Sequence, residues 1–170
     1  MKCKFAITGA ECSGKSTLAN ALGEDLLVKP IPEFAIEYLD DLGREYTQED
    51  LYHIAVGQMV RWNACEDDIL IADTEILVIM VWSKVVFGSI DERLYVLFNA
   101  FKFNHYFLCE PDIPWEAGPH RVNPNDRDEL FEIYLNLLTE LNVSFTRVHG
   151  DYQERIAIAK QVIAKYLVAE

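Results

Sequence analysis

The run Gly9-Ala10-Glu11-Cys12-Ser13-Gly14-Lys15-Ser16 has the spacing G-x-x-x-x-G-K-[ST], and the chemistry that spacing serves is the cradling of phosphate. Its glycines let the backbone wrap a β-phosphate so that N–H groups and a helix dipole face the anion. Lys15 then reaches the β and γ oxygens, and Ser16 is placed to ligate Mg²⁺. The expected nucleotide cradle is Gly9, Glu11, Cys12, Ser13, Gly14, Lys15, Ser16 and Thr17, and the expected ligands are ATP and Mg²⁺. A second metal-side acid should come from the end of another buried strand. Ile69-Leu70-Ile71-Ala72-Asp73 supplies four apolar residues and then a carboxylate, so Asp73 is assigned to the metal, directly or through water. A helix-capping role for Asp73 is compatible with this.

Other residues narrow the reaction. A guanine-reading N/T-K-x-D string is absent, and the D-x-x-G at Asp40 to Gly43 follows helix-like sequence rather than a buried strand. Transport ATPases need a signature loop and more length. A small-molecule kinase fits what remains, and it requires an acceptor pocket and a basic lid. Glu33, in Pro32-Glu33-Phe34 at the end of a second strand, is the candidate base and acceptor-binding residue; a helix cap is its plainer alternative. The lid is expected over about residues 111–127, a proline-rich stretch in which Arg121 and Arg127 would neutralise charge in the transition state. Pairing with surface acids is the alternative for both arginines, and for Arg127 the partner would be Glu129 or nearby acids.

These side chains need elements to hold them. Lys4 to Thr8 reads as a strand ending at Gly9, and Leu18, Ala19, Leu22 and Leu26 recur at helical spacing behind the glycine turn. Val28 to Ile31 reads as a second strand, with further strands at Ile69 to Ala72, Tyr106 to Cys109 and Phe145 to His149. Helices are expected near 33–42, after a Thr47/Asp50 capping pair, and near 76–86, 92–101, 127–141 and 151–168. Alternating short apolar strands and helices specify an α/β chain: a three-layer α/β/α sandwich of the P-loop kinase type, with a mainly parallel five-stranded sheet and a lid. Ligands in such sheets bind at the carboxyl ends of the strands.

The 170 residues are 51% hydrophobic, enough for a single packed core spanning 1–170. A net charge of −13 argues against a broad grip on nucleic acid, so phosphate must be held locally. The longest apolar run, Ile76 to Trp82, falls short of a membrane span, and the chain start is too short for a signal segment. Four widely spaced cysteines, with no C-x-x-C pair, suit reduced thiols in a cytoplasmic protein without a structural metal.

The segments GAECSGKSTLANAL, PEFAIEYL, YTQEDLYHIAVGQ, ILIADTEILVIMVWS, CEPDIPWEAGPHR and GDYQER, in that order, resemble the ribosylnicotinamide kinase domain of NadR-type proteins and their single-domain relatives. The resemblance covers nearly the whole chain. It implies transfer of the γ-phosphate of ATP to the 5′-hydroxyl of nicotinamide riboside, giving nicotinamide mononucleotide for NAD synthesis. Carried over by position, it assigns the loop Gly9 to Thr17, the acid Glu33, the paired acids Asp73 and Glu75, and the lid residues Trp115 and Arg121. Tyr38, Trp82 and Trp115 are aromatic candidates for stacking on a cationic nicotinamide ring, with Trp82 better suited to the core.

Three positions depart from the family pattern. Cys12 stands where Ser is common, Ile36 where Arg is frequent, and Trp115-Glu116-Ala117-Gly118-Pro119-His120-Arg121 lacks the acid of W-x-x-D-G-x-R. With Met1 directly at the first strand, one catalytic step without accompanying modules is expected. The expected partner is a small nucleoside, with no nucleic acid or membrane, acting on a monomer or small homo-oligomer. The alternatives are another nucleoside or nucleotide kinase on the same scaffold, and a regulatory P-loop ATPase.

Overall fold

The computed structural model describes residues 3–117 and 125–168. Four short apolar runs, β1 (Cys3–Thr8), β2 (Ile69–Asp73), β3 (His105–Cys109) and β4 (Phe145–Val148), form one sheet in the order β2-β1-β3-β4. Every pairing is parallel, which requires helical crossovers and covers both faces of the sheet. The helices are α1 (Lys15–Leu26), α2 (Phe34–Leu42), α3 (Gln48–Asn63), α4 (Ile76–Phe87), α5 (Glu92–Ala100), α6 (Arg127–Glu140) and α7 (Tyr152–Val168).

Strand alternation divides the core in two. Phe5, Ile7, Ile71, Phe107 and Cys109 pack with α1 and α7. Ala6, Leu70, Ala72, Tyr106 and Leu108 face the other way, onto α3, α4, α5 and α6. All five residues of β3 are buried, as expected of an interior strand covered on both faces. The three-layer α/β/α arrangement is therefore present. Among the described residues, no helix is long and apolar enough to cross a membrane.

Among the described residues the sheet has four strands, not the expected five. Of Val28 to Ile31, only Ile31 pairs, in a single parallel bridge to Ala72. Its N–H donates to Ile71 O (2.8 Å) and its carbonyl accepts from Asp73 N (2.9 Å). Three local facts prevent a longer strand. The Val28 N–H is spent on Gly23 O at the end of α1. Pro30 and Pro32 hold φ near −65°, away from ideal strand values. Glu33 already occupies the N-terminal cap position of α2. Because Ile31 turns its own polar groups to β2, the two prolines turn donorless nitrogens to the outer side of the segment, which cannot support a further strand ladder there.

Local signals set the helix ends. Thr47 and Asp50 form a reciprocal capping box that opens α3. Gly43 and Gly88 close α2 and α4 in left-handed conformations, φ 65° and 78°. The carboxyl ends of β1 and β2 are aligned, with Ile7 opposite Asp73, and β3 ends beside them. That rim carries the site.

Candidate active site

The phosphate loop leaves β1 at Gly9, whose φ of 135° suits glycine alone. A Cβ there would lie 2.7 Å from Cys109 O, so the close approach of the loop to β3 also requires glycine. Gly14, at φ 80°, caps α1, and no side chain caps the first turn or places an acid in it. The amides of that turn are thus available to an anion.

Loop carbonyls are held from within the loop and from outside it. Lys15 Nζ and Ser13 Oγ both donate to Ala10 O at 2.7 Å. Arg127 Nη1 donates to Cys12 O (3.1 Å) and to Ile113 O (2.9 Å), tying α6 to the loop and to the start of the lid segment. Arg155 Nη1 donates to Ser13 O (2.8 Å). With these carbonyls engaged, the loop is held in one shape, as a preorganised phosphate site requires.

Asp73 stands at the end of β2 and hydrogen-bonds Ser16, with Lys15 near enough to favour its charged form. Burial dominates these effects and raises its pKa. Its Oδ1 is buried and has no hydrogen-bond partner. An orphaned carboxylate oxygen beside a serine hydroxyl is a donor set that fits Mg²⁺. The next residue, Thr74, holds φ 73°, a strained conformation for a β-branched side chain. Its N–H donates to Ile7 O (3.1 Å), and the resulting kink separates the directions taken by Asp73 and Glu75.

Glu75 is only 1% exposed. It caps α4, with Oε2 accepting from Leu77 N at 2.6 Å. Burial pushes its pKa up to about 7, against the opposing pull of the Leu77 amide and the Thr8 hydroxyl. Tyr134 of α6 lies within electrostatic reach of Glu75, Glu33 and Glu11. Burial is the main cause raising the pKa of that phenol, and the three acids add to it.

Glu33 is the N-terminal cap residue of α2, but its side chain does not cap the helix. Ile31, two residues before Glu33, bridges to Ala72 and accepts from Asp73 N, so the chain leaves the end of β2 just before Glu33. Trp115 Nε1 donates to Glu11 (3.2 Å), which sets the indole against the phosphate loop. Cys12 Sγ contacts Glu116 O at 3.2 Å. The Tyr38 hydroxyl donates to Asp50 (2.8 Å), and its ring meets Phe34 edge-on at 6.0 Å. Trp82 is bonded to the Tyr46 hydroxyl (2.9 Å) and packs against the tyrosine ring within the core. Arg121 and Gly118 lie outside the described residues.

Several site residues escape sequence reasoning. Arg155, 5% exposed, donates also to Gly150 O (2.8 Å), Glu110 O (3.1 Å) and the Asp112 carboxylate. It thereby joins the phosphate loop, the end of β3, the root of the lid segment and the turn before α7. A cavity of about 130 Å³ opens beside it, lined by Gly14, Thr17, Leu18, Ile113, Tyr152 and Arg155. Nothing in the sequence marks Tyr134 beyond its place in the helix expected over 127–141. The signal for Arg155 was its place in GDYQER, and nothing local marked its partners.

Comparison with known proteins follows this geometry. Residues 4–155 match the family model described as an AAA domain. The chain belongs to that AAA domain family. Among curated relatives, this AAA domain is 24% identical over 172 residues to the trifunctional NAD biosynthesis/regulator protein NadR of Escherichia coli K12, and 23% identical to that of Salmonella typhimurium LT2. Both alignments cover 95% of the chain and 42% of the relative, so the chain spans less than half the length of these proteins. Among solved structures, NadR in complex with NR superposes with a TM-score of 0.77 at 17% identity, over 97% of this chain and 50% of that one. A deoxyadenosine kinase from M. mycoides gives 0.66 at 16% identity, over 95% and 99% of the two chains. Thymidylate kinase from Candida albicans gives 0.72 at 15%, over 99% and 94%. The resemblance to the NadR kinase domain read from the sequence is thus borne out, and P-loop kinases share the fold of this AAA domain.

Proposed function

We propose that this protein is an ATP-dependent phosphotransferase that places the γ-phosphate on the 5′-hydroxyl of a nucleoside, with nicotinamide riboside as the acceptor and nicotinamide mononucleotide as the product. The carrying observation is the end of β2, where Ser16 and Lys15 of the phosphate loop act on the Asp73 carboxylate and where the segment leading to Glu33 bridges to Ala72 through Ile31. In this reading the donor cradle and the acceptor acid serve one strand end.

In this reading the amides of the loop and Lys15 hold the β and γ phosphates, and the cavity beside Arg155 receives the base of the donor. Ser16 and Asp73 would hold Mg²⁺, which supplies neutralisation of phosphate charge when bound. Glu33 orients the attacking hydroxyl and accepts its proton as the bond to phosphorus forms. Arg127 braces the loop, and Arg121 keeps its proposed place at the transferring phosphate on the strength of the sequence resemblance.

Charge supports a nucleoside over a nucleotide. Glu11, Glu33 and Glu75 all act electrostatically on Tyr134, and this excess of acids suits a neutral or cationic acceptor. Of the basic residues near α2 and α3, Arg44 is committed bidentately to Asp50 and Arg61 to Glu37. Trp115, held by Glu11, is the aromatic offered to the acceptor ring, with Tyr38 behind Phe34. The relatives support the specific acceptor, since NadR has been solved with NR. A second reading, a different nucleoside acceptor, is favoured by Ile36, which is 52% exposed where the resembling family frequently has arginine. The same proposal makes the protein a cytoplasmic monomer or small homo-oligomer.

The test is ADP release with MgATP across nicotinamide riboside, common nucleosides and their monophosphates, with products identified by mass. Conversion of nicotinamide riboside in proportion to ADP is expected. ADP release that no acceptor stimulates would instead identify a regulatory ATPase.

A further inference from the structure

Glu33 must hold its carboxylate steady, yet no strand ladder fixes its backbone. The chain pairs with β2 only at Ile31, and Glu33 lies between Pro32 and the first residue of α2. The outer edge of this segment faces α3, and there the structure supplies a substitute. Gln58, 4% exposed, accepts from Phe34 N through Oε1 (2.7 Å) and donates from Nε2 to Pro32 O (3.2 Å).

These are the two peptide groups that flank Glu33. A residue in a parallel strand bonds its partner strand in this pattern: Ile31 does the same to Ala72, accepting from Asp73 N and donating to Ile71 O. The primary amide of Gln58 therefore acts on Glu33 as one residue of a missing edge strand. Its carbonyl and one N–H are thereby committed to the backbone.

Neighbours on α3 make the clamp specific. Gly57 leaves room for the Phe34 ring, since a Cβ there would lie 2.1 Å from Phe34 Cε1. One turn on, the Arg61 guanidinium covers the other part of that ring at 4.6 Å from its centroid. Phe34 is thus gripped by its amide and by its ring, and both grips come from α3.

We infer that Gln58 is the positioning residue for Glu33, acting through the peptides of Pro32 and Phe34 rather than by touching substrate. The inference rests on the proposed role of Glu33 and extends it to a residue of another helix. A displacement on the scale of 1 Å at an acid that orients a nucleophile costs on the order of 100-fold in rate. The loss should fall on kcat with acceptor, because the phosphate loop is untouched.

The experiment is a double-mutant cycle in phosphate transfer from MgATP, with nicotinamide riboside and the four common ribonucleosides as acceptors, on the wild type, Gln58→Met, Glu33→Gln and the double variant. Gln58→Glu is the second variant at the clamp: it keeps an acceptor for Phe34 N and loses the donor to Pro32 O. The expected result is a fall in kcat of roughly 100-fold in Gln58→Met with KM for ATP unchanged, a smaller fall in Gln58→Glu, and no further loss when Gln58→Met is added to Glu33→Gln. Thermal unfolding and nucleotide binding of each variant separate this from misfolding, and protection of the Phe34 amide from hydrogen exchange should be lost in Gln58→Met. Multiplying losses in the double variant, or a change confined to KM and acceptor preference, would overturn the inference in favour of a plain packing role or direct contact with the base. Full activity in Glu33→Gln, or no acceptor turnover in the wild type, would overturn the reading of Glu33 itself.

Discussion

Lys15 is the residue on which phosphate transfer depends most directly. Its ammonium lies over the loop at Ala10 O and is near Asp73, so Lys15→Ala removes charge from the phosphate site without opening the core. The expected outcome is a loss of transfer of about 100-fold or more with an unchanged unfolding midpoint, measured by product formation and circular dichroism. Cys12 offers a separate probe. It sits in the loop at φ 52°, part-exposed, while Cys3 and Cys109 are buried. Burial pushes the Cys109 thiol up to about 12, which further protects it. Alkylation followed by peptide mass mapping should label Cys12 and Cys65 in the free protein and only Cys65 when MgATP is present. Equal labelling of Cys12 in both states would show that nucleotide does not cover the loop. Lys15, Ser16 and Asp73 were legible because a motif and a strand end each mark them within a few residues. Arg155 was not, since its bond to Ser13 O joins positions 142 residues apart.

At the scale of elements, α3 carries more than its length suggests. Its capping acid Asp50 accepts from the Thr47 amide and hydroxyl, from both terminal nitrogens of Arg44 and from the Tyr38 hydroxyl. These donors, Arg44 foremost, hold its pKa far below the usual carboxylate range. Thr47→Ala should cost about 1 kcal/mol, the ordinary value of a cap. Asp50→Ala should cost more, because it strands several donors at once. Urea unfolding checks the order, and equal losses would show that the network adds nothing to the cap. The capping pair itself was plain in the sequence as Thr47 and Asp50 three residues apart. The reach of Asp50 back to Tyr38 was not, because α2 and α3 meet only after the chain has turned through Gly43 and Arg44.

For the whole molecule, β3 provides a sensor of acid stability. His105 lies 8% exposed at the base of the sheet, its ring nitrogens 3.2 Å from the Tyr166 hydroxyl and 2.9 Å from that of Thr146. Burial, with a lesser contribution from Lys165, pushes its pKa down to about 4. The unfolded chain binds a proton near pH 6.5 that the native protein refuses until about 4. The native state is therefore favoured fully above pH 6.5, and this share of stability, at most roughly 3 kcal/mol, declines as pH falls from 6.5 towards 4. Unfolding free energies across that range should show a slope that His105→Gln flattens; an unchanged slope would place the acid sensitivity elsewhere. Mass action gives a complementary measure: MgATP at 100 times its dissociation constant should add about 2.7 kcal/mol to the wild type, and Lys15→Ala should reduce that gain.

The sequence by itself determined the strand, glycine turn and helix of the phosphate loop, the acid at the end of β2, the box that opens α3, and the parallel α/β class. Each is written in near neighbours, through backbone conformations only glycine takes readily, through periodicity, or through caps three residues apart. Tertiary structure alone decided that Val28 to Ile31 contributes one bridge rather than a fifth strand. It also gave Arg127 to two backbone carbonyls rather than to Glu129, and brought Gln58 across from α3 to brace Glu33. In each case the deciding partner is a peptide group. Backbone N–H and C=O are alike at nearly every position, so which of them a side chain meets is set by the packing of distant elements.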